Sequence, residues 1–95
     1  MEVVLDGRTL RSEEDFHQAL CEALEMGPYY GHNLDALWDR LSTDIERPVT
    51  LVWTHSAESR KLLGPVFDQI VDVLKAVQQQ DAGRDWQDRF DYRLE

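Results

Sequence analysis

The spacing of apolar residues changes several times along the first half of the chain, and each change predicts a new element. A compact run at Glu2–Asp6 predicts a strand that an Asp-Gly turn ends. Apolar residues then recur at helical spacing over Phe16–Leu24, and Ser12 is placed to cap this helix. The Gly27-Pro28 pair is expected to stop it, and Asn33 is expected to cap a second helix.

The second half of the chain repeats the same order of patterns. The β-branched run Pro48–Trp53 predicts a strand that is central in its sheet or covered on both faces. Ser56 is expected to cap a short third helix, Pro65 to begin a fourth, and the alternation over Phe90–Glu95 predicts a last strand with one wet face. The predicted order is β-α-α-β-α-α-β, a small α/β structure whose helical crossovers make the three strands parallel.

Length and composition bound the class of protein. The 95 residues, 42% apolar and 31% charged, predict one globular domain over residues 1–95. The N-terminus lacks the basic and apolar regions of a secretory signal, and no run reaches the roughly 18 apolar residues of a membrane span. Cys21 is the single cysteine, so an internal disulfide is impossible. Together these features predict a cytoplasmic protein.

The charge balance narrows the class of partner. There are 19 acidic residues against 10 basic ones, a formal net charge of −9. Binding to nucleic acid phosphates or to anionic membranes needs clustered Lys and Arg, so both are disfavoured as ligands. A strongly acidic protein is instead steered towards basic surfaces, although acidity that serves solubility alone is an alternative at this point.

Catalytic and metal-binding patterns are weak. The chain has no glycine-rich phosphate loop, and its serines lie where helix capping explains them. His17 and Cys21 stand one helical turn apart, but no second pair of zinc ligands accompanies them. His32 lies near Asp35 and Asp39 without a nucleophile that these groups would activate. The sequence therefore predicts neither an enzyme nor a metal or cofactor site.

One segment carries polar residues that a core does not explain, and it reads PYYGHNLDALWDRL, residues 28–41. Asp35 and Asp39 lie one turn apart on the flank of the second helix, where like charges repel weakly. Tyr29 and Tyr30 precede that helix, and we expect one of them to be buried and the other to point outward. The segment is either a solvated helix face or a binding surface for a basic partner.

The same segment resembles the signature of the barstar family, intracellular inhibitors of barnase-type ribonucleases. Tyr29–Asp39 matches the family's run, which is Tyr-Tyr-Gly-x-Asn-Leu-Asp-Ala-Leu-Trp-Asp, with His32 at the variable position. A weaker likeness, which includes His17 and Pro48, extends over roughly residues 1 to 80. The resemblance implies a barstar-like α/β fold, a three-stranded parallel sheet in order 1-2-3 with about four helices.

The resemblance also implies a function. Family members plug the active site of a small basic extracellular ribonuclease, so Asp39 is expected in the RNA phosphate site and Asp35 against a rim arginine. Tyr29 is expected against a catalytic histidine. The implied complex is 1:1, formed by an inhibitor that is a monomer when free and gives its bacterial producer a toxin–antitoxin-like immunity. The partner-binding residues predicted on this basis are Tyr29, Tyr30, Gly31, Asn33, Asp35, Trp38, Asp39 and Asp44.

Several positions depart from the family's pattern. Ala76 stands where a fourth-helix acid meets the nuclease, and Asp72, one turn earlier, is a candidate replacement. Asp44 replaces a tryptophan, and Arg40 replaces one of two paired cysteines. These departures imply the same class of target with a different or looser preference among nucleases. The alternatives are a barstar-like adaptor that binds another basic protein without inhibiting a nuclease and, last, an enzyme on the same fold.

Overall fold

The computed structural model describes the whole chain, Met1–Glu95. Three strands and four α-helices follow in the predicted order, joined by three short helical turns. The strands are β1 (Glu2–Asp6), β2 (Val49–Thr54) and β3 (Phe90–Leu94); the α-helices are α1 (Glu13–Leu24), α2 (Leu34–Asp39), α3 (Ser56–Leu63) and α4 (Pro65–Asp81); the turns are 3₁₀-helical at Gly7–Thr9 and Trp86–Asp88 and π-helical at Arg40–Asp44.

The three strands form one parallel sheet in the order β1-β2-β3, as the sequence and the resemblance predicted. In the sheet register, Leu51 of β2 lies between Val3 of β1 and Tyr92 of β3. The central position of β2 explains its apolar sequence, because four of its six residues, Val49, Leu51, Val52 and Trp53, are buried.

The hydrophobic core is one cluster of 18 buried residues, and Trp53 of β2 lies at its centre. The Trp53 ring is completely buried, 5.0 Å from the ring of Phe16 on α1 and 5.1 Å from that of Phe67 on α4. Its indole N–H donates to Ser59 Oγ at 2.8 Å, and that hydroxyl donates to the Gly7 carbonyl at 2.9 Å. The polar edge of the tryptophan is therefore satisfied, and it joins β2 to α3 and to the chain leaving β1.

A buried carboxylate holds β3 against α4. Asp81, fully buried at the end of α4, accepts hydrogen bonds on Oδ2 from Arg47 Nε at 3.0 Å and from the Phe90 backbone N–H at 2.8 Å. Arg47 Nη2 also lies 3.0 Å from Oδ2, but it is not aligned to donate. Arg84 Nη1 lies 3.7 Å from Oδ1. Two cations thus surround one buried anion where the last strand begins.

The helix starts follow the predictions with one exception. Ser12 and Asn33 cap α1 and α2, each accepting a backbone N–H on its side-chain oxygen. Ser56 does not cap α3, so that prediction was wrong. The cap position is His55, whose φ is 51°, and the Ser56 hydroxyl donates to the Glu95 carbonyl at 3.0 Å. A partner 39 residues away competes for this serine, and local capping rules do not include such a contact.

Candidate functional site

The loop before α2 is held to the first turn of that helix by Asn33. Its Oδ1 accepts the Ala36 N–H at 2.8 Å, and its Nδ2 donates to the Gly31 carbonyl at 3.1 Å. A Cβ on Gly31 would lie 3.2 Å from Ala36 Cβ, so the loop approaches α2 more closely than most side chains allow. We call residues 28–33 the signature loop. Its backbone is therefore shaped by a cap and a glycine.

The two adjacent tyrosines of the signature loop face opposite ways. Tyr29 is 88% exposed, whereas Tyr30 is 5% exposed and belongs to the core. The expectation of one buried and one outward tyrosine is confirmed, with Tyr30 as the buried one. Since Tyr29 lies outside the core, its ring is available as contact area for a partner.

A buried polar chain holds Tyr30 in place. Its hydroxyl lies 2.5 Å from Nδ1 of the fully buried His17, and His17 Nε2 lies 2.9 Å from a carboxylate oxygen of Glu13. Burial, chiefly, and nearby acidic groups raise the pKa of the Tyr30 hydroxyl well above its ordinary value. The hydroxyl therefore keeps its proton and is able to donate to His17 Nδ1, and with that tautomer the N–H at Nε2 donates to Glu13.

The carboxylates of Asp35 and Asp39 are exposed on α2 and have no partner within the chain. Neither takes part in any of the chain's ion pairs, and neither side chain accepts a hydrogen bond from the protein. Arg40, the adjacent cation, is turned away, because its Nη1 donates to the Met26 carbonyl at 3.1 Å. We call Tyr29, Asp35, Trp38 and Asp39 the acidic face. Its negative charge is uncompensated at close range.

Asp39 is the last residue of α2, where the helix widens. The Ile45 N–H bonds to the Arg40 carbonyl at 3.2 Å, five residues back, which is the π-helical pattern. The hydroxyls of Ser42 and Thr43 donate to the carbonyls of Trp38 and Asp39. Side-chain bonds of this kind bend helices, and these two lie where α2 passes into the π-helical turn after Asp39.

Trp38 belongs to the acidic face, and Asp44 is an exposed acid five residues after Asp39. Trp38 is 37% exposed, so part of its ring reaches the surface while Leu37 beside it is fully buried. The Asp44 carboxylate lies 3.7 Å from Arg40 Nε and is 59% exposed. This pairing partly neutralises Asp44, in contrast to Asp35 and Asp39, and its predicted role in binding stays a prediction.

The fourth helix offers an exposed acid and a small side chain at the predicted positions. Asp72 is exposed, and Ala76, one turn on, is half-buried. Asp72 contributes, after burial and Asp91, to raising the pKa of Tyr92 on β3. Its charge therefore acts at the β3 side of α4 as well, and its proposed role as a substitute for the acid missing at Ala76 stays a prediction.

The groups considered for metal binding have other partners. Both ring nitrogens of His17 are engaged by Tyr30 and Glu13, and Cys21 Sγ donates to the Gly27 carbonyl at 3.4 Å. His32 Nδ1 contacts Glu14 at 2.7 Å rather than Asp35 or Asp39. No group of three or more His, Cys, Asp or Glu side chains is arranged to hold a metal ion. No helix is both long and apolar enough to cross a bilayer.

Two contributors to the site, Glu13 and Glu14 of α1, were absent from the sequence interpretation. Glu13 precedes His17 by one helical turn, and this i, i+4 spacing was a signal available in the sequence. Glu14 meets His32 across 18 residues of sequence, and no local spacing indicates that contact. Both acids connect α1 to the signature loop.

The acidic face is an exposed surface and not a cleft. The three cavities, of about 390, 370 and 230 Å³, are lined by none of its residues. The largest lies beside Met1, Trp86 and Asp91, and the second lies beside Arg40, Asp44 and the N-terminus. Small ligands bind in concave sites, so an exposed acidic face outside every cavity is better suited to contact with another protein.

Two comparisons with known proteins found similar sequences. The family model described as Barstar (barnase inhibitor) matches residues 1–94. A protein of Bacillus subtilis (strain 168), named "Putative ribonuclease inhibitor YrdF", is 36% identical over 78 residues, which cover 82% of this chain and 86% of that protein. The matched region includes both the fold and the acidic face.

Proposed function

The chain belongs to the barstar (barnase inhibitor) family, and from that premise we propose that it inhibits a secreted, guanyl-type ribonuclease of the barnase kind. The acidic face enters the nuclease's active site in a 1:1 complex and takes the place of the RNA phosphates. The protein performs no chemistry of its own. The name of the Bacillus subtilis relative, a ribonuclease inhibitor, supports this proposal.

The observation that carries the proposal is the absence of internal partners for Asp35 and Asp39. Desolvating a carboxylate is costly unless a cation replaces the lost water. An RNA-cleaving site supplies cations that already converge on a phosphate, and no internal ion pair must break before Asp39 meets them. The charge-assisted hydrogen bonds formed there are of the strong class.

Each predicted residue has a role in this proposal. Asp39 occupies the phosphate site, Asp35 pairs with an arginine at the rim, and Tyr29 lies against a catalytic histidine. The supporting residues shape the surface or extend its border: Tyr30, Gly31, Asn33, Trp38, Asp44 and Asp72.

The net charge of −9 suits a basic partner, because opposite net charges accelerate the encounter of two proteins. We propose that the inhibitor acts in the cytoplasm of a bacterium as a monomer that is free until it meets the nuclease. Its physiological effect is protection of the cell that makes the nuclease.

Titration of RNA cleavage tests the proposal. Barnase at a fixed concentration is mixed with increasing amounts of the protein, and cleavage of an RNA substrate is followed. We expect cleavage to fall linearly to zero at one equivalent. Tight binding with cleavage retained would favour an adaptor of the same fold, and hydrolysis by the protein alone would favour an enzyme. Absence of binding would refute a barnase-like target.

A further inference from the structure

The signature loop is anchored to α1 at two points that alternate with its outward residues. Tyr30 and His32 contact α1, whereas Tyr29, which precedes them, and Gly31, which lies between them, are exposed. The first anchor is the buried contact of Tyr30 with His17. The second is the contact of His32 Nδ1 with Glu14 Oε1 at 2.7 Å, at the surface.

His32 has a constrained conformation at this second anchor. Its φ of 51° lies in the left-handed region, which non-glycine residues seldom adopt. Its ring centroid lies 5.1 Å from that of Tyr30 and 6.0 Å from that of His17. Packing on one side and Glu14 on the other hold the residue in this conformation, and such local constraints concentrate at binding sites.

From this geometry we propose that the Glu14–His32 pair is a latch that positions the signature loop for its partner. The inference rests on the proposed function and adds Glu14 of α1 and His32 as positioning residues. The latch holds the chain on the far side of Gly31 and thereby limits the orientations of Tyr29 before binding.

The latch acts through pre-organisation and contributes little to overall stability. Glu14 is 63% exposed and His32 30% exposed, and at such exposure even a fully charged pair stabilises a fold weakly. A loop that is already ordered loses less conformational freedom when it binds, so the gain appears in affinity. We expect its loss to speed dissociation about 3- to 10-fold, within the range for one ordered side chain.

The test uses Glu14→Gln, His32→Asn and the double variant, with Glu22→Gln as the matched control. Asparagine tolerates a left-handed φ, so His32→Asn removes the ring while it preserves the backbone conformation. Glu22 is an exposed acid of the same helix whose carboxylate meets Gln18, so Glu22→Gln removes the same charge away from the loop.

Two measurements are made on each full-length variant. In the free protein, hydrogen exchange of the Ala36 and Leu37 amides, which donate to Asn33 beside His32, is expected to accelerate about 3- to 10-fold in both single variants and no further in the double variant. With barnase, dissociation is expected to accelerate by a similar factor, again without additivity, while the unfolding midpoint stays near that of the wild type. Glu22→Gln is expected to change neither.

The outcomes separate the latch from the proposed function. Wild-type exchange of the Ala36 and Leu37 amides in Glu14→Gln and His32→Asn would overturn the latch whether or not the protein inhibits barnase. Faster exchange with unchanged dissociation would overturn its positioning role. If the wild type does not bind barnase, the proposed target fails, and the exchange measurement decides the latch by itself.

Discussion

Asp39 on α2 and Asp81 at the end of α4 carry the same carboxylate in opposite surroundings. Asp81 is fully buried and meets Arg47, Arg84 and the Phe90 N–H. The carboxylate of Asp39 is exposed and meets no cation and no hydrogen-bond donor of its own chain. The charge of Asp81 is paired with cations inside the protein, whereas the charge of Asp39 is available to pair with a cation of another molecule.

The difference distinguishes residues that stabilise the fold from residues that the fold exposes to a partner. Removing a buried, paired carboxylate leaves an uncompensated cation, so the loss appears in the free energy of unfolding. Removing an exposed carboxylate without partners leaves the fold nearly unchanged, and the loss appears only in a complex. Variants at the two positions are therefore expected to have opposite effects on stability and binding.

The largest expected effect is on binding, at Asp39. We expect Asp39→Ala to weaken the complex with barnase by about 2 to 4 orders of magnitude, because losing one member of a desolvated charge pair costs roughly 3–5 kcal/mol. Stability is expected to change by only a few tenths of a kcal/mol, in the stabilising direction, since Asp35 loses a like-charged neighbour. Calorimetry of binding and urea unfolding measure the two quantities.

The control for Asp39 is Asp88, which is exposed on the turn before β3 and takes part in no ion pair. Asp88→Ala removes the same charge far along the chain and is expected to change affinity by less than about 1 kcal/mol. Equal losses from both variants would show that net charge alone drives binding and would contradict the acidic face.

The converse variant is Asp81→Ala. We expect it to lower the free energy of unfolding by roughly 3–5 kcal/mol, because Arg47 is left buried without its partner and the Phe90 N–H loses its acceptor. The fraction that remains folded is expected to titrate barnase with wild-type affinity. Asp81→Asn keeps an acceptor for Phe90, so its loss is expected to be smaller and to leave more folded protein for the assay.

The dependence of the association rate on ionic strength provides a further test of the comparison. The screening length falls from about 30 Å at 0.01 M to about 3 Å at 1 M ionic strength, so association with barnase is expected to slow at least about tenfold over this range. Asp35→Asn is expected to flatten this dependence more than Asp88→Asn does, because Asp35 lies on the acidic face. Stopped-flow association rates provide the measurement, and a salt-independent rate would contradict charge steering.

Much of the fold was predictable because its signals are local. The apolar run of β2, the cap at Ser12 and the cap at Asn33 each depend on residues within one or two turns, and the structure confirms them. The prediction for Ser56 is wrong because its partner, the Glu95 carbonyl, directly follows β3 and is 39 residues away in the sequence. The order of the three strands came from the family resemblance, because spacing along a chain does not specify neighbours in a sheet.

The candidate site likewise has some features that the sequence indicates and others that it does not. The acids at positions 35 and 39 and their helix are visible in the sequence, because a repeat of one turn places them on one flank. Which of the two tyrosines is buried depends on a contact with His17, 13 residues earlier, and local spacing does not indicate that contact. Unpartnered charge is a property of the whole surface, so the isolation of Asp35 and Asp39 became visible only in the structure.

The two adjacent tyrosines provide the smallest and most local form of the comparison. The raised pKa of Tyr30 means that the folded chain keeps its proton above pH 10, near the ordinary tyrosine pKa, where the unfolded chain loses it. The free energy of unfolding is therefore expected to include the whole Tyr30 contribution below about pH 10 and to fall as pH rises further. Tyr30→Phe is expected to reduce that fall and to cost about 1–3 kcal/mol at neutral pH, since His17 Nδ1 loses its donor. Part of the fall remains in the variant, because burial also raises the pKa of Tyr92. Tyr29→Phe, at an exposed side chain, is expected to leave the free energy of unfolding at neutral pH near its wild-type value, and an equal loss of stability in both variants would contradict the division between the buried and the exposed tyrosine.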